Sequence, residues 1–132
     1  MMRIITFGTF DVFHVGHVNI LERARAKGDY LIVGVSSDAL NMSKKGRNPI
    51  YSQEDRIHIL KSLRCVDEVF VEESLELKEQ YLIEHKADML VMGDDWEGKF
   101  DHLKHVCDVV YLPRTPSIST TETIEIVKNL PN

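Results

Sequence analysis

Short apolar runs alternate with amphipathic segments along this chain. The apolar runs are rich in Val, Ile and Leu and cover residues 3–7, 30–36, 68–71, 89–92 and 109–112. Runs of this length predict buried strands, because both faces of a parallel sheet are covered and little polar alternation remains. The pattern therefore predicts a sheet of about five strands.

The segments between these runs have helical spacing. Apolar positions with this spacing are Ile20, Leu21, Ala24, Ile57, Leu60, Leu63, Tyr81 and Leu82. Ser52 has the position of an N-cap in front of the second segment. The repeated strand and helix order predicts a single α/β domain over residues 1–132, with a Rossmann-like, doubly wound parallel sheet and helices on both faces. Ligands bind such sheets at the carboxyl ends of the strands, so we expect the functional residues there.

Composition and charge narrow the possible partners. Of the 132 residues 43% are hydrophobic, enough for one domain with a core. The net charge of −5 and the lack of a basic stripe argue against nucleic acid and anionic membrane surfaces. No apolar run reaches the roughly 20 residues of a membrane span, and no signal peptide precedes the first strand, so we expect a cytoplasmic protein. Cys65 and Cys107 lack metal-ligand spacing and are expected to be buried thiols.

The segment after the first strand carries the strongest chemical signal. From Phe7 to His17 it reads Phe-Gly-Thr-Phe-Asp-Val-Phe-His-Val-Gly-His, which predicts a strand, a tight turn and a helix start. Such a turn directs backbone N–H groups and a helix N-terminus at one point, where phosphate can bind. The glycine patterns of dinucleotide-binding and P-loop proteins are absent, which excludes those two interpretations. Taken alone, His14 and His17 could also be capping or surface histidines, or zinc ligands without an evident third and fourth partner.

A hydroxyl-rich segment follows the last strand. Residues 114–121 read Arg-Thr-Pro-Ser-Ile-Ser-Thr-Thr and precede an amphipathic segment. Ser119 and Glu122 have the spacing of a capping box, which alone would account for the serine. Capping does not account for Arg114 or for three consecutive hydroxyl residues. Together these groups can donate several hydrogen bonds to a polyphosphate.

Three stretches resemble a known family. Gly8-Thr9-Phe10-Asp11 followed by His14-Val15-Gly16-His17 resembles the signature of the nucleotidyltransferases with a His-x-Gly-His motif, and the segment from Arg114 resembles the Arg-Thr-x-x-Ile-Ser-Thr motif of their cytidylyltransferases. Residues 93–101, Gly-Asp-Asp-Trp-Glu-Gly-Lys-Phe-Asp, are similar to the glycerol-3-phosphate cytidylyltransferases. The resemblance implies transfer of CMP from CTP to glycerol 3-phosphate, giving pyrophosphate and CDP-glycerol for teichoic acid synthesis. It also implies a homodimer.

The resemblance assigns roles to individual side chains. The implied catalytic residues are His14, His17, Lys44 and Arg114. The implied nucleotide-binding residues are Thr9, Phe10, His14, His17, Asp95, Arg114, Thr115, Ile118, Ser119 and Thr120. The implied acceptor-binding residues are Asp11, Asp38, Lys44, Arg56 and Lys78. Asp11 and Asp95 could instead only cap turns, and Arg56 and Lys78 could be cations on helix surfaces.

The chemistry implied by this family needs no general base. An alkyl phosphate has a second pKa of about 6 and is largely a dianion at neutral pH. We therefore expect His14 and His17 to donate hydrogen bonds to the phosphates rather than to accept protons. Lys44, with Lys45 or Arg47, is expected to close over the phosphates from a mobile loop. The resemblance also implies Mg²⁺, carried by the phosphates of CTP and with no metal ligand assigned to the protein.

One position departs from the family and bears on the acceptor. Leu75 stands where the teichoic-acid enzymes usually have a tryptophan near the acceptor alcohol. Two other functions therefore remain open beside the favoured one. The first is a nucleotidyltransferase for another phosphoalcohol, or an adenylyltransferase of a cofactor precursor. The second is a nucleotide-binding module without turnover, for which the full set of charged residues is not needed.

Overall fold

A computed structural model describes residues 1–116 and 118–131 of the chain. Its five strands are β1 (Arg3–Gly8), β2 (Tyr30–Ser36), β3 (Glu68–Glu72), β4 (Met89–Gly93) and β5 (Asp108–Leu112). They form one parallel sheet in the order β3-β2-β1-β4-β5. The predicted doubly wound sheet is confirmed, and each predicted strand end lies within one residue of the observed one.

Five helices connect and follow the strands. They are α1 (Val15–Arg25), α2 (Asp38–Lys45), α3 (Gln53–Lys61), α4 (Lys78–Glu84) and α5 (Thr120–Lys128). Short 3₁₀ turns at Leu75–Leu77, Asp94–Trp96 and Asp101–Leu103 complete the connections. Ser52 is the N-cap of α3, as predicted, and its hydroxyl oxygen accepts from the Asp55 amide at 3.2 Å.

The segment around Lys44 differs from the prediction. Residues 43–45 were expected in a mobile loop, but they form the last turn of α2. The helix ends at Gly46, whose φ of 72° is the left-handed conformation that commonly terminates helices. Lys44 is therefore held on a helix at a fixed place beside the sheet.

Two apolar cores cover the two faces of the sheet. On one face α1 and α3 pack against the sheet, with Leu21 and Leu60 buried against Ile4 and its neighbours. On the other face α4 contributes Tyr81 and Leu82 to a core that includes Ile5. The alternation of Ile4 and Ile5 shows how successive side chains of β1 serve opposite cores. Both faces carry helices, as predicted.

The connections between the strands decide where a ligand can bind. The chain moves from β1 to β2 and β3 on one side, then crosses to β4 and β5 on the other. A crevice opens where the strand order reverses, at the carboxyl end of β1. Cys107 is buried and Cys65 is half-buried, and both are free thiols. In the described parts of the chain, no helix has both the length and the apolar character to cross a membrane.

Candidate active site

A cleft of about 700 Å³ lies at the carboxyl ends of the strands. Its size falls in the range of small-molecule sites, about 300–1,000 Å³. The predicted residues that line it are Thr9, Phe10, Asp11, His14, His17, Lys44, Lys78, Asp95, Arg114, Thr115, Ile118, Ser119 and Thr120. The structure thus brings together the motifs that follow β1, β4 and β5. Two predicted residues, Asp38 and Arg56, do not line the cleft.

The turn after β1 has an unusual backbone. Phe10 and Val12 have φ values of 56° and 45°, in the left-handed region that non-glycine residues rarely occupy. For a β-branched residue such as Val12 this conformation is strained, and it persists only where surrounding contacts fix it. Strain of this kind is common at ligand sites.

Asp11 supplies the contacts that fix this turn. Its carboxylate accepts from the amides of Val12 at 3.0 Å, Tyr51 at 2.8 Å and Ile50 at 2.7 Å. The Asp11 carbonyl also accepts from the hydroxyl of Thr120 at 2.7 Å, which ties the turn to α5. The carboxylate is thus engaged by backbone amides and works mainly as an anchor. Its predicted contact with the acceptor stays a prediction.

The two histidines at the start of α1 hold each other in one orientation. His14 is the N-cap, and its Nδ1 accepts from the Gly16 amide at 3.0 Å. His17 Nδ1 accepts from the His14 amide at 3.2 Å. The two rings stack with centroids 3.8 Å apart. Because each Nδ1 must offer a lone pair, each neutral ring carries its proton on Nε2. Both rings therefore present an Nε2–H donor.

The surroundings keep both rings neutral. Burial, with a smaller contribution from the neighbouring His14, lowers the pKa of His17 from 6.5 to about 4. Burial and the positive charge of Arg114 lower the pKa of His14 as well. The positive end of the α1 dipole acts in the same direction. At neutral pH the free protein therefore holds two uncharged donors, which agrees with the predicted role.

Gly16 is required by the orientation of His14. A Cβ at position 16 would lie 2.8 Å from His14 Cε1 and 3.0 Å from its Nδ1. It would also lie 3.3 Å from Ile118 Cγ2, on the segment before α5. The glycine of the His-x-Gly-His motif thus leaves room for the first imidazole ring and for the opposite wall of the cleft.

Arg56 and Asp38 do not line the cleft, so the structure does not support their predicted contact with the acceptor. Arg56 is completely buried. Its guanidinium donates to the carbonyl oxygens of Thr9 at 3.0 Å, Ser36 at 2.8 Å and Tyr51 at 3.1 Å, and to Asp38 Oδ1 at 2.6 Å. With these donors engaged, Arg56 joins the ends of β1 and β2 to the segment before α3. It is neither a phosphate contact nor a surface cation.

The segment before α5 provides the wall of the cleft that is predicted to bind anions. Arg114 is exposed at the cleft. Ser119 is the N-cap of α5; its oxygen accepts from the Glu122 amide at 3.1 Å, which leaves its O–H free to donate. The hydroxyl group of Thr120 instead donates its hydrogen bond to the Asp11 carbonyl oxygen. Ser117 of the same motif lies outside the described residues.

Several polar residues of the cleft were not predicted from the sequence, among them Asn41 and Glu72. Asn41 of α2 is buried and its Oδ1 accepts from the Thr9 hydroxyl at 2.9 Å. Glu72 ends β3 and pairs with Lys78 at 2.8 Å. A charged residue at the carboxyl end of an apolar strand was the available signal for Glu72. Asn41 had none, because Thr9, the residue to which it binds at the cleft, lies 32 residues away in the sequence.

Three exposed cations, Lys44, Lys45 and Arg47, line the other wall. Partial desolvation in the cleft lowers the pKa of Lys44, while the charge of Glu72 partly offsets the effect. Lys45 and Arg47 both line the cleft, so the structure does not decide which of them accompanies Lys44 at the phosphates. Leu75 forms part of the same wall and is 44% exposed.

The remaining wall follows β4. Asp95 lies in the 3₁₀ turn Asp94–Trp96 and is exposed at the cleft. A Cβ at Gly93 would lie 2.7 Å from Asp95 Oδ1, so the glycine allows this carboxylate to turn back over the end of the strand. Trp96 packs near Phe100, with centroids 5.5 Å apart, and both also line the cleft. In the described ranges no three His, Cys, Asp or Glu side chains form a metal-binding group.

Comparison with known proteins agrees with this geometry. The sequence profile described as cytidylyltransferase-like matches residues 5–126. Glycerol-3-phosphate cytidylyltransferase of Bacillus subtilis strain 168 is 52% identical over 130 residues, which cover 98% of this chain and 100% of that protein. FAD synthase of Pyrococcus abyssi is 32% identical over 136 residues, which cover 98% of this chain and 92% of that protein. The lipopolysaccharide core biosynthesis protein of Thermoplasma volcanium has a similar fold, with a TM-score of 0.74 at 24% identity over 87% of this chain and 98% of that one.

Proposed function

We propose that this chain, which belongs to the cytidylyltransferase-like family, transfers CMP from CTP to glycerol 3-phosphate, with CDP-glycerol and pyrophosphate as products. The observation that carries the proposal is the pair of neutral histidines, His14 and His17, with Nε2–H donors at a cleft that also holds Lys44 and Arg114. The 52% identity to the Bacillus subtilis enzyme supports the choice of substrates. Leu75 lies in the wall where the acceptor would bind.

The reaction exchanges one phosphoanhydride bond for another at the α-phosphorus of CTP. A phosphate oxygen of the acceptor attacks that phosphorus, and the bond to the β-phosphate oxygen breaks with release of pyrophosphate. Negative charge develops on the oxygens around the α-phosphorus and on the leaving group. Preoriented donors stabilise such charge without reorganisation, and we assign this role to the Nε2–H groups of His14 and His17.

Cations on two sides of the histidines bring the two anions together. Arg114, the Ser119 hydroxyl and the N-terminus of α5 bind the β- and γ-phosphates. Lys44 approaches from α2 and binds the acceptor phosphate and the α-phosphate. Mg²⁺ enters with CTP as part of the substrate and neutralises charge on the leaving pyrophosphate.

The proposal is tested by pyrophosphate release with each nucleoside triphosphate and a panel of phosphoalcohols. We expect release with CTP and glycerol 3-phosphate together and with neither alone. Release with ATP and riboflavin phosphate would favour the second candidate, an adenylyltransferase, to which the 32% identity with an FAD synthase points. Tight CTP binding without release in any pair would indicate a nucleotide-binding module.

We also propose that the protein acts as a cytoplasmic homodimer that supplies CDP-glycerol for teichoic acid synthesis. CTP is available in the cytoplasm, and symmetric dimers are the commonest assemblies. The segment Arg64-Cys65-Val66 before β3 is the part of the chain assigned to the interface. Light scattering at micromolar concentration should give twice the 15.2 kDa mass of the chain. A mass of one chain would refute the dimer and leave the chemistry unaffected.

A further inference from the structure

The cleft has two halves that come from different strands. The nucleotide motifs with His14, Asp95 and Arg114 follow β1, β4 and β5. Glu72 ends β3 and Lys78 follows it, on the other side of β1. If the proposed function is right, the nucleotide occupies the first half and the acceptor the second. The inference below rests on that function.

The acceptor half contains a buried carboxylate, although its substrate is an anion. Glu72 is 1% exposed, and its Oε2 lies 2.8 Å from Lys78 Nζ. Lys78 is buried too, with its Nζ 3.8 Å from the centroid of the Phe7 ring. The charge of Lys78 is therefore partly neutralised before any acceptor phosphate binds. A site that recognised phosphate alone would bind it better without Glu72. The carboxylate therefore needs a reason other than phosphate binding.

The pair has hydrogen-bonding capacity left over. A carboxylate has about four acceptor sites and an ammonium group has three donors. Among the described residues the bond to Lys78 is the one side-chain hydrogen bond that Glu72 accepts, and no buried side-chain oxygen or nitrogen there lacks a partner. Both residues line the cleft. An acceptor beside a donor matches a hydroxyl group, which donates and accepts at once.

The Leu75 side chain cannot recognise a hydroxyl group. Leu75, three residues after Glu72, has no hydrogen-bonding group on its side chain. Recognition of a hydroxyl group in this half would therefore fall to its polar neighbours, such as the Glu72–Lys78 pair.

We propose that Glu72, held in place by Lys78, is a specificity-determining residue that accepts a hydrogen bond from a hydroxyl group of the acceptor alcohol. The site thereby selects polyol phosphates over phosphoalcohol analogues that lack free hydroxyl groups. Sites built to bind a hydroxyl group reject the analogue without it, because a buried polar group is then left unpaired.

The first test uses the unaltered protein with CTP. The value of kcat/KM is measured for glycerol 3-phosphate and for n-propyl phosphate, which has the same carbon skeleton without free hydroxyl groups. We expect a preference of at least about tenfold for glycerol 3-phosphate, the effect of one hydrogen bond to a charged group. Equal values would overturn this inference and leave CMP transfer established. Turnover of neither acceptor would overturn the proposed function, and this inference with it.

The second test removes the pair without leaving a buried charge. The double variant Glu72→Met/Lys78→Met keeps similar volume, because loss of one partner alone strands the other ion in the interior. We expect its preference for glycerol 3-phosphate over n-propyl phosphate to fall at least about tenfold, with the KM for CTP unchanged. The preference is the ratio of two kcat/KM values measured on the same variant. A smaller fraction of folded protein lowers both values equally and leaves their ratio unchanged. A matched control is Glu76→Met, an exposed carboxylate outside the cleft, which should keep the parent ratio.

Two outcomes of the second test bear on the inference. An unchanged ratio in the double variant would show that Glu72 is only the counter-ion of Lys78, and the inference would fall. If the double variant lacks a cooperative melting transition, the measurement on the unaltered protein decides.

Discussion

Replacement of His17 by alanine should lower kcat at least about 100-fold and leave the protein folded. His17 Nδ1 is occupied by the His14 amide at 3.2 Å, so its Nε2–H is the group left for the phosphates. Loss of one donor that acts on developing charge lowers kcat by about 10²–10³-fold, which corresponds to about 2.7–4 kcal/mol. The KM for CTP should change much less, because the donor acts mainly in the transition state.

The stability of this variant should decrease only modestly. Alanine is a strong helix former at a position in the first turn of α1. The loss of a cap hydrogen bond costs about 1 kcal/mol. The stacking of His17 on Phe13, with centroids 5.2 Å apart, is lost as well. A cooperative melting curve should therefore persist.

The pH dependence of stability tests the neutral state of His17 separately. The pKa is 6.5 in an ordinary setting and about 4 in the folded protein. Between these values the unfolded chain binds a proton that the folded chain does not, so the parent loses stability as the pH falls from 6.5 and stops losing it near 4. At 1.36 kcal/mol per pKa unit the loss is at most about 3 kcal/mol. His17→Ala lacks this loss, so its stability deficit should shrink toward pH 4.

Two measurements decide the outcome. Pyrophosphate release at saturating CTP gives kcat for the parent, for His17→Ala and for the control His58→Ala, which changes an exposed histidine outside the cleft. Urea unfolding at pH 7 and at pH 4.5 gives the stability difference. A kcat equal to that of the parent would refute the role of His17. A stability deficit that does not change with pH would refute its depressed pKa.

Three further predictions follow from the same contacts. Gly16→Ala should lower kcat because the new Cβ would lie 2.8 Å from His14 Cε1. The clash would be contradicted by a kcat equal to that of the parent together with a free energy of unfolding higher by about 0.5–1 kcal/mol, the gain that alanine normally brings over glycine in a helix. Arg56→Lys should lower the free energy of unfolding, measured with urea, by about 3 kcal/mol or more, because one ammonium group cannot replace a buried guanidinium that donates to four oxygens. A decrease below about 1 kcal/mol would argue against that network. Leu75→Trp should sharpen the preference for glycerol 3-phosphate over ethanolamine phosphate and a pentitol phosphate, by no more than about 1 to 3 kcal/mol in kcat/KM; an unchanged preference would show that this wall does not contact the acceptor.

The strands could be predicted closely because their signal is local. Each apolar run ends at a glycine, a proline or a polar residue, and the observed ends lie within one residue. The sequence pattern did not predict α2, whose last residues, Ser43, Lys44 and Lys45, have no apolar periodicity. Gly46 is typical of a loop in the sequence, whereas in the structure it marks the left-handed end of this helix.

The role of Arg56 could not be predicted from local pattern. An arginine within a short amphipathic segment normally lies on the surface, and this one is fully buried. Its partners are backbone carbonyls of Thr9, Ser36 and Tyr51, and carbonyls have no sequence signature. The same holds for Asp11, which binds the amides of residues 50 and 51. The histidine and hydroxyl motifs could be predicted from the sequence because their chemistry resides in side chains of fixed spacing.

Burial is the main reason why the histidines are neutral. A protonated His17 would be desolvated and would face repulsion from His14, and its pKa of about 4 reflects that cost. For His14, the positive charge of Arg114 adds to the effect of burial. Neutral rings avoid the repulsion and still donate from Nε2, since their Nδ1 atoms are held by backbone amides. In the proposed reaction the cations attract the two anions, while the neutral donors stabilise the charge that develops between them. With this division of tasks, we expect transfer near neutral pH without a proton moving to or from the protein.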